Sequence, residues 1–166
     1  MTINTKKADR RPLSFTSLDD VRADIDALEA SHQAGTLKTT GNWTPGQILW
    51  HCASLFRVSL DGFPADSKPP FWLKLLGRLI KGKATAPGGE APTGFKIPPA
   101  LAKVFDPPSD ATFEQGASEI RAMLDRVASG ALMEQPSPLF GEMNNEQWTN
   151  VQVGHCRMHF SFMNPS

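Results

Sequence analysis

The sequence predicts an all-α fold, in the form of a four-helix bundle. Four stretches are long and amphipathic, and in two of them the apolar residues alternate at spacings of three and four, which puts those residues on one face of a helix. No stretch shows convincingly the strict alternation of apolar and polar residues that indicates a half-buried strand. A long segment rich in proline and glycine, residues 63–111, separates the second stretch from the third. It predicts a long crossover connection, so simple up-down-up-down connections are not expected.

The composition is that of an ordinary globular protein. Of the 166 residues, 40% are apolar and 20% are charged, and 17 basic residues balance 17 acidic ones. A chain of this length can bury a core of its own, and its balanced charge gives no reason to expect a nucleic-acid partner. We expect a flexible N-terminal tail over residues 1–12 and a single helical-bundle domain over residues 13–166.

The sequence favours a cytoplasmic location. Residues 10–15, RRPLSF, imitate a twin-arginine export signal, but acidic amphipathic residues follow where such a signal needs an apolar run. No apolar run approaches the ~18 residues of a membrane span. The two cysteines, Cys52 and Cys156, are too few for a disulfide framework. We expect both to be reduced, buried thiols.

Capping signals predict where the first two helices begin. The first helix begins after Ser17 and is ended by Gly35. The second begins after Thr44 and runs to about Asp61. In both, the residue three positions after the cap can complete a capping box. His51 lies in the middle of the second helix, on its apolar face.

The crossover of residues 63–111 contains one predicted element, a short helix within PPFWLKLLGRLIKGK. One face carries Lys74, Arg78 and Lys81, and the other is apolar, with Trp72, Leu75, Leu76, Leu79 and Ile80. Basic amphipathic helices can bind membrane surfaces. This helix is short, however, and we expect its apolar face to cover the bundle or a dimer partner. A membrane partner is therefore not expected.

The last two long helices carry equally clear signals. The third long helix is predicted from Thr112 to Gly130, with a capping box and a regular apolar stripe. The last helix is predicted to begin at Asn144 or Asn145 and to stop before Pro165. We expect it to turn one side toward the bundle, with Trp148, Val151, His155, Met158, His159 and Phe162.

Three histidines form a candidate metal site. His155 and His159 are four residues apart on one helix, so their Cβ atoms lie ~5–6 Å apart and their rings can bind one ion. His51 also lies on an inward face. Leaving such rings buried without partners costs about 1–3 kcal/mol each, and one divalent ion would satisfy all three. The alternative is three histidines that are hydrogen-bonded separately in the core.

Other residues near the histidines are weaker candidates. Cys52 and Cys156 lie ~100° around their helices from the neighbouring histidines, so we do not expect them to be ligands. The stretch HCRMH lacks the glutamate of the H-E-x-x-H motif, which disfavours zinc-protease chemistry. Gln47 and Gln152 could orient a ring or hold a bound water, although Gln47 already serves as a capping residue. We expect His32 at the surface.

The stretches NWTPGQILWHCASLF and NNEQWTNVQVGHCRMHFSF resemble the DinB/YfiT-like superfamily of metalloenzymes. Within it, the chain is most similar to a bacterial branch known only as a domain of unknown function. The resemblance depends on Trp43, Trp148 and the pair His155 and His159. It implies an up-down-down-up four-helix bundle, often dimeric, in which His51 and that pair bind a divalent metal, commonly zinc or nickel. It also implies relatives that are mostly metal-dependent thiol-S-transferases or thiol-dependent isomerases, using bacillithiol, mycothiol or glutathione.

Two functions remain open from the sequence. The first is a metal-dependent enzyme that activates a low-molecular-weight thiol or water for transfer to, or hydrolysis of, a small electrophilic substrate. It predicts an open coordination position inside a pocket of roughly a few hundred Å³. The second is a non-catalytic, metal-stabilised bundle that acts as a binding or stress-response module. It predicts a closed site with a fourth protein ligand such as Glu90 or Glu142.

Overall fold

The computed structural model describes residues 2–68, 70–89 and 99–165. Within these ranges the chain is mostly helical, with six helices and one two-stranded sheet. The helices are α1 (Leu18–Gln33), α2 (Pro45–Asp61), α3 (Phe71–Ala84), α4 (Pro99–Phe105), α5 (Phe113–Ala128) and α6 (Asn145–Phe160). None of the helices in these ranges is both long and apolar enough to cross a membrane.

Four helices begin where they were predicted to begin, three of them after a predicted cap and α6 at Asn145. Helices α1, α2, α5 and α6 each begin with a capping box. The side chain of the cap residue accepts a hydrogen bond from the backbone N–H of the residue three positions later. The side chain of that later residue accepts a hydrogen bond from the backbone N–H of the cap residue. The caps are Ser17, Thr44, Thr112 and Asn144. The predicted end of α2 at Asp61 is also confirmed, and Gly62 follows it with a φ of 93°.

Residues from α1, α2, α5 and α6 share one hydrophobic core. The predicted apolar stripes of α1 and α5 supply much of it, as the spacing indicated. The core members with no exposed surface include Val21, Ile25, Leu28, Leu49, Phe56, Ile120 and Phe160. Burial of these side chains, at ~25 cal/mol per Å² of apolar surface, is the main source of favourable free energy for the fold.

The buried face of α6 differs from the predicted one. Trp148 lies in the core as expected, but it is joined there by Cys156 and Phe160. His155 and His159 lie further around the helix, where they line a pocket. Of the predicted face, Trp148 and Phe162 belong to the core and Val151 and Met158 pack against it, whereas the two histidines line the pocket. Helix α6 has apolar residues on two sides, because one side packs in the core and the other lines the pocket. The spacing of residues in the sequence does not distinguish these two sides.

Three elements, one helix and two strands, were not predicted from the sequence. Helix α4 lies inside the segment expected to be loop, and its Leu101 and Phe105 pack against Val58 of α2 in a second, smaller core. Strand β1 (Lys38–Thr39) pairs antiparallel with β2 (Met163–Asn164). Both strands contain two residues and α4 contains seven, so none is long enough to leave a reliable periodic pattern.

The apolar face of α3 points away from the protein. The helix is instead buried through Leu73 and Gly77, and a Cβ atom on Gly77 would lie 2.3 Å from the carbonyl oxygen of Leu139. Only glycine permits such a close approach of two backbones. The side of α3 that carries Gly77 therefore packs against the segment that contains Leu139. The expectation that the apolar face covers the bundle is therefore wrong. Coverage by a dimer partner stays a prediction.

The segment before α1 contacts the helices. Arg11 forms an ion pair with Asp24 at 2.7 Å, and its backbone N–H donates to the carbonyl oxygen of Ser161 at 2.8 Å. Ala8 and Leu13 pack against the core. The division into a tail of residues 1–12 and a domain of residues 13–166 stays a prediction about mobility, which limited proteolysis would test.

Candidate metal centre

Helices α2 and α6 bring the three predicted histidines together. His51, His155 and His159 each offer one ligand atom, and these atoms lie within 4.8 Å of one another. The ring centroids are 4.5 Å apart for the two α6 histidines, and 5.0 and 4.6 Å from His51 to each of them. The rings are attached to helices rather than to loops, and helices hold such a constellation more rigidly.

A hydrogen bond orients His51. Its Nδ1 lies 2.7 Å from the carbonyl oxygen of Phe105, at the end of α4. A carbonyl oxygen can only accept, so Nδ1–H donates and the lone pair of the neutral ring is on Nε2. This is the backbone-carbonyl contact that commonly fixes the tautomer of a metal-binding histidine.

The spacing of the nitrogens fits a shared cation. The Nε2 atoms of His51 and His155 are 3.2 Å apart. Two nitrogens at ~2.05 Å from a tetrahedral ion are separated by ~3.3 Å, so these atoms already have the spacing of two ligands. The Nδ1 atom of His155 is buried and has no hydrogen-bond partner among the described residues. Without an ion, the Nε2–H of His155 can donate to the lone pair on Nε2 of His51, so only Nδ1 of His155 is left without a partner. The evidence for a metal is therefore the spacing of three imidazole donors, which fits a divalent ion.

The electrostatics of the site favour the neutral form of all three rings, because the pKa of each is lowered. Burial is the largest cause lowering the pKa of each histidine. At His51 the hydrogen bond to Phe105 and the charge of Asp106 partly oppose this fall in pKa. Positive charge on the neighbouring histidines lowers the pKa of His155 and His159 further, to well below the usual value. Neutral imidazole is the form that binds a metal.

A large pocket opens onto the three rings. Its volume is about 720 Å³, and His51, His155 and His159 are part of its wall. Most of the remaining wall is apolar or aromatic, with residues such as Leu55, Phe63, Phe105, Phe140, Met158 and Phe162. Lys83 and Asp106 add charged groups to the described part of the wall. The size and the mixture of an apolar wall with a few polar groups are typical of a small-molecule site.

A protein family described as "Protein of unknown function (DUF1569)" matches residues 7–166 of the chain. The chain belongs to this family. Comparison with curated proteins and with solved structures gave no match. The family match confirms the part of the resemblance that indicated a domain of unknown function, and it includes all three histidines of the DUF1569 chain.

Trp43 also belongs to the site, although the spacing of the histidines did not indicate it. In the DUF1569 chain its ring lies 4.7 Å from that of His51 and stacks on that of His159 at 5.7 Å with an interplanar angle of 17°. It therefore packs against rings from both helices. The available signal was its position directly before the Thr44 cap, which places it at the start of the helix that carries His51.

We expect Trp43→Ala to lower metal affinity about tenfold, because outer contacts that hold ligand rings typically contribute 10- to 100-fold. Trp43→Phe keeps a ring in the same place and should retain most of the affinity. Competition with a chromophoric chelator measures both values. Trp50→Ala is the matched control, since Trp50 is also on α2 but is not part of the described pocket wall. Equal losses in Trp43→Ala and Trp50→Ala would contradict the assignment.

The two cysteines lie in the core and not at the site. Cys52 and Cys156 are fully buried and free, as predicted, and neither belongs to the described ligand group. Burial raises the pKa of the Cys52 thiol well above its usual value, and its contact with Cys156 raises this pKa further. Each cysteine follows a histidine and is rotated ~100° around the helix from it, as predicted. The histidines therefore face the pocket while the cysteines face the core.

The structure records no hydrogen bond among the described residues that joins Gln47 or Gln152 to the three histidines. Gln47 completes the α2 capping box and donates to the carbonyl oxygen of Pro108, so its capping role is confirmed. Gln152 lies in the core, where its Nε2 donates to Ser59 at 3.1 Å. The possibility that Gln152 orients a ring is therefore not supported by a hydrogen bond. The reason is the rotation of α6, which turns this residue toward α2.

Among the described residues, neither His32 nor Glu142 belongs to the ligand group. His32 pairs with Glu114 at 3.0 Å, with 39% of its side chain exposed, so it is at the surface as expected. Glu142 is exposed and is not in the ligand group of the described residues. Glu90 lies outside the described residues.

Proposed function

We propose that this protein is a metal-dependent enzyme. His51, His155 and His159 bind a divalent ion, zinc or nickel, and the site activates a low-molecular-weight thiol or water for transfer to, or hydrolysis of, a small electrophilic substrate. One observation carries the proposal: three histidine ligand atoms lie within 4.8 Å of one another in the wall of a pocket of about 720 Å³. A purely structural ion would not need such a pocket beside it.

We also propose that the family is part of the DinB/YfiT-like superfamily, and that α1, α2, α5 and α6 form its up-down-down-up four-helix bundle. The common core of these helices supports this assignment. So does the distribution of the ligands, with one histidine on α2 and an H-x-x-x-H pair on α6. Helices α3 and α4 then lie within the long crossover. A homodimer and a cytoplasmic location are further expectations of the same proposal.

Three protein ligands leave a coordination position for an exogenous ligand. A tetrahedral ion held by three histidines has one position for water or substrate, as in catalytic zinc sites. Among the described residues no carboxylate or thiol joins the three rings. A bound cation would lower the pKa of a coordinated thiol or water and make it nucleophilic at neutral pH.

The surrounding residues have separate roles in this proposal. The Phe105 carbonyl holds the His51 ring in the tautomer whose Nε2 is free to bind. Trp43 and the apolar wall exclude water around the ligands, which strengthens electrostatic interactions at the site. Asp106 lines the same pocket and supplies a carboxylate that can take up the proton released by the nucleophile.

The test begins with elemental analysis of untagged protein, where we expect one divalent ion per chain. The metal-loaded protein is then assayed with bacillithiol, mycothiol and glutathione against a small electrophile, and without thiol against activated esters. Turnover should disappear with chelator and return when the metal is restored. Counting exchangeable waters on the ion separates the alternatives. An ion with no exchangeable water and no turnover would instead support a non-catalytic, metal-stabilised binding module.

A further inference from the structure

Helix α3 exposes a continuous apolar face. Phe71, Leu79 and Trp72 have 79%, 76% and 64% of their surface exposed, which is unusual for residues of this size. Leu75, Leu76 and Ile80 are exposed beside them. At 100° per residue these six side chains occupy about half of the circumference of the helix. A contiguous patch of this kind normally marks an interaction surface.

The same helix is strongly basic. From Ser67 to Gly89 the chain has five basic residues and no acidic residue: Lys68, Lys74, Arg78, Lys81 and Lys83. Lys74 and Arg78 are exposed along one flank of the apolar face, while Lys81 donates to the carbonyl oxygen of Glu142. The chain as a whole has no net charge, so this segment is a local concentration of positive charge.

We propose that α3 binds the protein to the surface of anionic phospholipid bilayers. An apolar face with Trp, Phe and Leu, flanked by Lys and Arg, matches the chemistry of the boundary between acyl chains and anionic headgroups. The apolar side chains would enter the acyl region, and Lys74 and Arg78 would contact the headgroups. The helix would lie along the surface rather than cross it, consistent with its 14 residues.

The charge argues for lipid rather than for a second copy of the chain. Two α3 helices packed face to face would bring two equally basic segments together, and this repulsion would oppose the apolar contact. Anionic headgroups would neutralise the same charges. The packing of α3 through Leu73 and Gly77 directs the opposite, apolar side outward, where a flat surface can reach it.

The position of α3 connects this surface to the pocket. Ile80 belongs to the exposed apolar face and also lines the pocket, together with Lys83 and Ala84 from the last turn. Binding through this face would therefore bring the mouth of the pocket near the acyl chains. The proposal for α3 does not depend on the metal site, because vesicle binding can be measured without metal or turnover.

The test is co-sedimentation with vesicles, together with tryptophan fluorescence. We expect wild-type protein to bind vesicles containing about one-third phosphatidylglycerol at low salt, to bind pure phosphatidylcholine weakly, and to be released by high salt. Trp72 is the exposed member of the four tryptophans, so its emission should shift to shorter wavelength on binding and be quenched by brominated lipid.

Two variants separate the apolar and the charged contributions. The double variant Leu75→Ser, Leu79→Ser changes only exposed side chains and should lose binding. The double variant Lys74→Gln, Arg78→Gln should bind anionic vesicles roughly thirtyfold more weakly. The matched control is Lys6→Gln, Lys7→Gln, which removes the same charge at exposed positions outside α3 and should bind like wild type.

Three results would overturn the proposal. Wild-type protein could remain in the supernatant with anionic vesicles at low salt. The Lys6→Gln, Lys7→Gln control could bind as weakly as the Lys74→Gln, Arg78→Gln variant, which would mean non-specific attraction. Finally, the wild type could form a dimer that the Leu75→Ser, Leu79→Ser variant abolishes, with no vesicle binding by either. That outcome would assign the face to a second copy of the chain.

Discussion

Replacing His155 or His159 by Ala should abolish binding of a divalent metal, and His51→Ala should have nearly the same effect. The three ligand atoms lie within 4.8 Å of one another, so each removal leaves two protein ligands where three are available. We expect affinity to fall by more than about a hundredfold, since loss of even an outer-shell partner costs 10- to 100-fold. Elemental analysis after dialysis gives the stoichiometry, and chelator competition gives the affinity.

The control for these variants is His32→Ala. His32 is half-exposed and pairs with Glu114, and it should not affect metal content. Far-ultraviolet circular dichroism of each metal-free variant checks that the helices remain formed. Full metal content in folded His51→Ala would show that α2 does not contribute a ligand, and the three-histidine assignment would then be wrong. Loss of metal in His32→Ala as well would indicate a general effect of removing histidines.

Gly116→Ala should destabilise the protein by about 2–4 kcal/mol, because the new side chain has no room. A Cβ atom at this position would lie 2.5 Å from the carbonyl oxygen of Gly46 and 2.9 Å from the Cβ of Leu49. In the same contact, a Cβ on Gly46 would lie 2.3 Å from the carbonyl oxygen of Thr112. The first turns of α2 and α5 therefore meet backbone to backbone, and the added atom must push the helices apart.

Urea unfolding followed by circular dichroism measures this loss, and Gly46→Ala should lose stability for the same reason. Gly82→Ala is the matched control, because no atom lies within 4 Å of a Cβ at that helical position. It should be neutral or stabilising by up to about 1 kcal/mol, the usual advantage of Ala over Gly in a helix. If Gly116→Ala and Gly82→Ala had the same stability as wild type, the close contact of α2 with α5 would be disproved.

The Gly116→Ala change should also weaken the metal site. Helix α2 carries His51, and displacing its first turns moves that ring relative to His155 and His159 on α6. A shift of about 1 Å is enough to impair a ligand set that depends on nitrogen positions. We therefore expect reduced metal affinity in the fraction that remains folded. Gly82→Ala should bind metal like wild type.

Local signals predicted the helices well. Capping boxes depend on residues three positions apart, and the predicted caps Ser17, Thr44 and Thr112 were all found where the sequence placed them. Helix α6 begins at Asn145, one of its two predicted first residues. Helix α3 was also found at its predicted stretch and ends one residue beyond it, at Ala84. Helix α4 was missed because its seven residues lie in a proline-rich segment and are held by contacts with α2 rather than by a periodic pattern of their own.

The candidate site was predicted in part. The shared face of His155 and His159 follows from their spacing, and His51 was proposed from its place on α2. The contacts that complete the site could not be predicted in the same way. The Phe105 carbonyl that orients His51 is 54 residues away in the chain, and Trp43 reaches His159 on another helix. No local pattern contains such contacts.

By itself, the sequence determined where the long helices begin, roughly how far they run, and which of their residues share a face. Those properties depend on interactions within a few residues of the chain, and they are therefore readable from spacing and caps. In α1 and α5 the apolar stripe already indicated the buried face, but only the tertiary structure decided how α3 and α6 are rotated about their axes. It turned Cys156 to the core and His155 to the pocket, and it left the apolar side of α3 exposed. Rotation depends on packing between residues far apart in the sequence, such as the close contact at Gly77, and that information is absent from any single helix.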